Sequence, residues 1–428
     1  MPVRQILAMI ALALAAPAGA TPATLNSLAD DYAVVAIASE KIAPDTVGVG
    51  RALSGWPGRS RVKAIDRAGA IAELDRIVSA IDSLPVPDDA LLAMRQRRLR
   101  AFAVSLATQL QPEALAALST ADRVRRLYGF EPVFKPLSDY DAAIDRLDKA
   151  LPGSGTIPDR IAAMRSRGAV PPDKIERVVR AAVAECRRRS AHHLRMPREE
   201  LEISFPNDPL VPAQANYEGE GKGKMAVSSA LPADVDRLLQ TSCHEAYPGH
   251  HLHFASLDER LWRERKWPET GIGLNFNPVF PVSDAISEYG VGMVFPIEER
   301  MKFEREVLYP LAGLTMQDEA GWRALIQARS SVLGATSTLI RDYLDRKIDE
   351  PTAKQLAMRY RLMSPQSAEQ LLKMVNAFGT DVIASDQGWL AIDRAFAGKP
   401  VNQQWRLLQR MEEEPMLLGD VRALAAAD

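Results

Sequence analysis

The chain has 428 residues, 47% hydrophobic and 25% charged, with a formal net charge of −2. That balance gives a globular protein able to bury a substantial core, in one large domain or two lobes. Near-neutral charge argues against nucleic acid as a main partner, because phosphate binding usually leaves a basic field.

Residues 1–20 read as a secretory signal peptide. Arg4 supplies a short positive region, residues 6–16 an apolar run, and Ala18-Gly19-Ala20 a small-x-small cleavage site. The expected location is periplasmic or secreted, with cleavage after Ala20. No segment approaches the about 20 apolar residues of a membrane span. From residue 25 onward, apolar positions recur at helical spacing over 25–41, 71–84, 88–110, 112–127 and 140–151. Proline and glycine punctuate these helices, notably at Pro85, Pro87 and Pro152-Gly153-Ser154-Gly155. Two further helices are expected from about 158 to 167 and from about 171 to 193. The arginine clusters at Arg95, Arg97, Arg98 and Arg100 and at Arg187 to Arg189 read as solvated helix faces.

The pattern then changes. Residues 201–205 alternate as a strand does, 225–231 suit a second short strand, and 206–224 read as irregular loop. Helical pattern returns at Pro232 and recurs over 284–294, 316–347, 352–363 and 365–378. The expected fold is mainly α with a small sheet beside the helix that starts near residue 232. A helical N-terminal lobe over 21–200 and a second lobe over 201–428 are expected to form one continuous domain.

Four of the six histidines fall at His244, His250, His251 and His253, and Glu245 follows the first. Neutral imidazole is the commonest protein metal ligand, and His-Glu followed by His is how zinc hydrolases set two ligands and a base on one helix. On a regular helix His251 lies within about 20° of His244, whereas His250 lies about 120° away. Pro248-Gly249 interrupts the regularity, and a bulged turn there would return His250 to the face of His244. Geometry alone leaves both open. Cys243 reads as a small buried apolar residue; it and Cys186 could pair in an oxidising compartment, but two cysteines make no disulfide framework.

The stretch from His244 to His251 resembles the HExxPGHH motif of the bacterial domain of unknown function 885 family, whose members have a zincin-like metallopeptidase fold. Residues 182–189, 217–231, 236–239 and Met363-Ser364-Pro365 are also similar to family segments, and Glu288-Tyr289-Gly290 sits where members carry Glu-Gly-Trp. The resemblance runs from about residue 25 to about residue 397. It implies His244, His250 and Glu288 as zinc ligands and Glu245 as the general base for a water nucleophile. It also implies His251 as a group behind the ligands or facing the substrate. Tyr217 is a candidate lining residue, and Tyr360, Arg359 and Arg361 are candidate oxyanion donors. The implied function is an exported zinc metallopeptidase. The alternatives are a hydrolase of small amides or esters, and a peptide-binding protein that keeps the fold without catalysis. Ser228-Ser229, Gly379-Thr380-Asp381 and Ala384-Ser385-Asp386 depart from the family pattern and motivate the last of these.

Overall fold

Short polar residues set where many helices begin. Thr24, Asp66 and Asp89 each accept a hydrogen bond from a first-turn amide, starting α1 (Leu25–Ser39), α2 (Arg67–Ser83) and α3 (Ala90–Gln109). The computed structural model describes residues 23–49, 53 and 55–425; the expected signal peptide lies outside them. Helix accounts for 66% and strand for 6%, a mainly α fold with small sheets as the periodicity predicts. No helix among the described residues is long and apolar enough to cross a membrane.

The buried faces of α1, α2 and α3 meet around Tyr32, Leu74, Ile77 and Phe102. Leu257, Leu261, Trp267 and Ile272 belong to that same cluster. A two-stranded sheet adds to the link, pairing β1 (Val47–Val49) antiparallel with Ile272–Leu274. The second large core likewise draws Met94, Val124 and Val178 together with Leu239, Ile286 and Phe396. Packing is therefore continuous across residue 200.

Arg95 and Arg98 are buried, contrary to the solvated face expected of them. Arg95 forks onto Glu269 at 2.6 and 3.2 Å and reaches the Asn26 side chain. Charge patterning alone did not reveal this, because the carboxylate partner lies 174 residues away. Arg97 and Arg100 are exposed, as expected.

Helix α4 (Ile175–Ser190) leads into a three-stranded sheet of β2 (Glu200–Ser204), β3 (Ala213–Gly219) and β4 (Lys222–Val227), in the order β2-β4-β3. Strand β2 runs parallel to β4, and β3 runs antiparallel to it. The expected loop over 206–224 therefore contains a strand. Its residues alternate between exposed and half-buried, but the inward ones are Ala213, Ala215 and Tyr217, too small or polar to give an apolar rhythm. The hairpin of β3 and β4 turns through Gly219, Glu220 and Gly221, all at positive φ. A second correction concerns residues 316–347, which form two helices, Glu319–Ser331 and Ala335–Leu344. Gly334 between them has φ +94°, and a Cβ there would meet the Tyr140 hydroxyl at 2.4 Å.

Helix α5 (Val235–Glu245) starts at Asp234, whose carboxylate accepts from the Arg237 amide. A disulfide between Cys186 and Cys243 ties α4 to α5, with 5.5 Å between Cα atoms. Cys243 is thus buried as expected, but as half of a cross-link. The bridge closes a 57-residue separation, for which chain entropy gives about 4 kcal/mol of stabilisation. Cys243→Ala together with Cys186→Ala is expected to lower unfolding free energy by about 2–4 kcal/mol, read from urea denaturation.

Candidate metal centre

The site is made where α5 stops. Pro248 cannot donate to the carbonyl of residue 244, and its ring would clash there, so a regular helix cannot continue. The chain turns through residues 246–249, with a cis bond at Tyr247-Pro248, and resumes as α6 (His250–Leu257). The Leu252 amide reaches back to the Ala246 carbonyl at 3.2 Å, a span of six residues. Gly249 packs so closely that a Cβ would lie 1.7 Å from the His244 carbonyl oxygen. Only glycine fits that turn. The turn brings the His244 and His250 rings edge to face, with centroids 4.9 Å apart.

The third group comes from α7 (Phe280–Val294), which packs against α5 and α6. Gly290 permits that approach, since a Cβ there would meet the Pro248 ring at 2.5 Å. Asp284 directs Oδ1 at His244 Nε2, 3.3 Å away, and at His250 Nε2, 3.7 Å away. One donor atom from each of His244, His250 and Asp284 falls within 4.8 Å of the others.

Glu288, expected as the third ligand, lies one turn further along α7 and meets the opposite side of the His244 ring. Its Oε2 is 2.9 Å from His244 Nδ1, and its Oε1 accepts from Gln240 Nε2 at 2.5 Å. The carboxylate that joins both imidazoles is that of Asp284, and Glu288 orients His244. The chain extends further back, because Arg300 donates to Gln240 Oε1 at 2.8 Å and to Asp236 Oδ1 at 2.6 Å.

The other two groups are held from behind as well. His250 Nδ1 is 2.9 Å from Ser283 Oγ, and its ring lies near-parallel to Phe254 and Phe280. Asp284 Oδ2 accepts from Trp389 Nε1 at 3.2 Å, and Ser385 lies close enough to help hold its pKa down. Both come from α8 (Asp381–Phe396), which approaches α7 at Gly388, where a Cβ would strike the Pro281 carbonyl at 2.0 Å. Ser385, in one of the stretches that departs from the expected pattern, therefore lies beside the site.

Burial disfavours a charged His244, but the hydrogen bonds and charges of Asp284 and Glu288 outweigh it and raise its pKa well above the ordinary value. Burial and the neighbouring His244 charge lower that of His250. Asp284 is buried, yet His244, His250 and Ser385 hold its pKa below the usual carboxylate range. A ligating imidazole must give up its proton from the coordinating nitrogen. Zinc binding is accordingly expected to release a proton from His244 at pH 7. Affinity should weaken by about ten-fold for each unit below neutral, as one competing proton requires. Calorimetry in buffers of different ionisation heat reads both quantities.

Glu245 is half-buried, and its charge reaches His250. Among the described residues, nothing hydrogen-bonds its carboxylate. The remaining expected site residues lie elsewhere. His251 is 2% exposed, and its Nε2 is 2.9 Å from Glu199 Oε2, which also accepts from the Tyr247 hydroxyl at 2.6 Å. A Cβ on Gly223 of β4 would collide with the His251 ring at 2.2 Å. His251 thus fastens α6 to the sheet, and its hydrogen bond goes to Glu199 rather than to the His244 cluster. The Tyr217 hydroxyl donates to Asp258 at 2.9 Å and accepts from the Gly221 amide. Tyr360 and Arg359 both bind Asp141, and Arg361 binds Thr336, so none of the three reaches the imidazoles by a hydrogen bond.

The fold has a solved counterpart. A structure described as "the putative lipoprotein from Colwellia psychrerythraea" superimposes with a TM-score of 0.51 at 14% identity, covering 94% of this chain and 74% of that one. At that identity the likeness is one of fold alone. No family model matches the chain, and no curated protein does.

Proposed function

We propose that the chain is an exported metallopeptidase, a zincin-like zinc hydrolase of the domain of unknown function 885 family. The observation that carries this reading is the convergence of His244 Nε2, His250 Nε2 and Asp284 Oδ1 beside an unbonded Glu245 carboxylate. Two imidazoles and one carboxylate form a common donor set of catalytic zinc, and three protein ligands leave a position for water or substrate. The donors fit an ion in a further respect, since hydrogen bonds to His244 Nδ1 and His250 Nδ1 leave both Nε2 atoms to coordinate.

Bound there, zinc would supply Lewis acidity to water and to the substrate carbonyl. Glu245 takes a proton from water as the oxygen attacks the carbonyl carbon, then delivers it to the departing amine as the C–N bond breaks. Glu288 and Ser283 orient the two imidazoles, while Trp389, bonded to Asp284 Oδ2, keeps Oδ1 turned inward. The disulfide supports export, because such bonds persist in oxidising compartments.

Metal analysis of the purified protein, followed by a peptide library and an ester panel with and without chelator, tests the reading. One equivalent of zinc and chelator-sensitive peptide cleavage are expected. Turnover confined to esters or small amides would reassign the substrate, and no bound zinc would overturn the proposal.

A further inference from the structure

Helix α5 has one open side. Of its eleven residues, only Arg237, Thr241, His244 and Glu245 escape full burial. At 100° per residue, Arg237 and His244 lie within about 20° of each other around the axis, and Thr241 stands between them. A solvent-open stripe therefore runs from His244 toward the start of the helix and ends at Arg237.

Four arginines gather at that end: Arg237, Arg165, Arg329 and the buried Arg300, which is held by Asp236. Arg165 pairs with Asp234 at 2.6 Å, and Arg329 pairs with Asp236. The exposed Arg237 guanidinium has no hydrogen bond or ion pair to any described residue. Enclosure by protein lowers its pKa, Glu288 acts against that, and the like charges of Arg165 and Arg329 add to it. Arg237 therefore stands exposed at the end of the stripe, with no hydrogen-bond or ion-pair partner among the described residues.

We propose that Arg237 recognises a carboxylate of the peptide substrate, two or three residues from the bond that is cleaved. The assignment rests on the hydrolase reading and adds the substrate class. A guanidinium presents a planar fork of donors that matches a carboxylate, and it stays charged at any working pH. Seven residues of helix place Arg237 about 10 Å along the axis from His244. An extended peptide covers about 3.3–3.6 Å per residue, so that distance corresponds to two or three residues. The carboxylate is either the substrate's own C-terminus or an acidic side chain in that register.

Binding to zinc-loaded Glu245→Gln protein separates these without requiring turnover. The probes are pentaalanine as free acid and as C-terminal amide, and pentaalanine amides with glutamate or glutamine at each position in turn. Calorimetry should give at least ten-fold tighter binding for the free acid than for its amide, or for glutamate than for glutamine at one position. Adding Arg237→Gln should close that gap, and Arg237→Lys should restore part of it. A preference confined to the free acid assigns selection of the C-terminus; one confined to glutamate assigns an acidic side chain. Equal binding within every pair, no binding of any probe, or a gap that survives Arg237→Gln would overturn the assignment. Zinc content and library cleavage by the parent protein are read separately, so their persistence leaves the hydrolase reading standing.

Discussion

Glu245→Gln is expected to lower peptide hydrolysis by about 10²–10⁴-fold, the range for loss of a general base. Glutamine keeps the size of the side chain and removes its capacity to take a proton from water. The side chain makes no hydrogen bond to another described residue, so the substitution breaks no such bond. Zinc content should accordingly remain near one equivalent. Unchanged turnover at full zinc occupancy would remove Glu245 from the mechanism, whereas loss of zinc would place it among the ligands.

The second large effect concerns the two carboxylates of α7. Asp284→Ala is expected to remove most bound zinc, because Asp284 Oδ1 alone joins both Nε2 atoms. Glu288→Gln should lower affinity by about 10–100-fold, the range for losing an oriented partner behind a ligand. His250→Ala should behave like Asp284→Ala, and His251→Ala should leave zinc in place while loosening α6 from the sheet. Zinc titration with a competing chelator ranks the four. The reverse order for Asp284 and Glu288 would restore Glu288 as the third ligand.

Much of this arrangement was legible because it is local in sequence. Helical spacing located most helices, and proline and glycine marked many of their ends. The interruption at Pro248-Gly249 was the reason to consider His250 beside His251, and the turn at residues 246–249 puts His250 next to His244. Asp284 was missed because an acid at the edge of an expected helix carries no mark of its own. The usable signal was its place four residues before Glu288, which puts both on one helical face. Helix α7 begins at Phe280, so Asp284 lies inside it rather than at its first residue. Ser385 and Trp389 are likewise four residues apart on α8 and lie beside the same carboxylate.

What stayed hidden depends on distant partners. Arg95 looked solvated because nothing near it in sequence shows Glu269 coming to meet it. The pairing of the cysteines depends on α4 lying against α5, which no spacing rule supplies. Strand β3 lacks apolar alternation because one edge of its small sheet leaves little to cover. Its turn glycines, Gly219 and Gly221, are the readable signal, and they lie within the stretch whose composition predicts a loop.

Cys243 immediately precedes His244, so the cross-link to Cys186 anchors the backbone one residue from the first imidazole. The provenance of a sample therefore bears on its chemistry. Material made in a reducing cytosol lacks that tether, so metal content and cleavage are to be measured on protein in which the Cys186–Cys243 bond has formed.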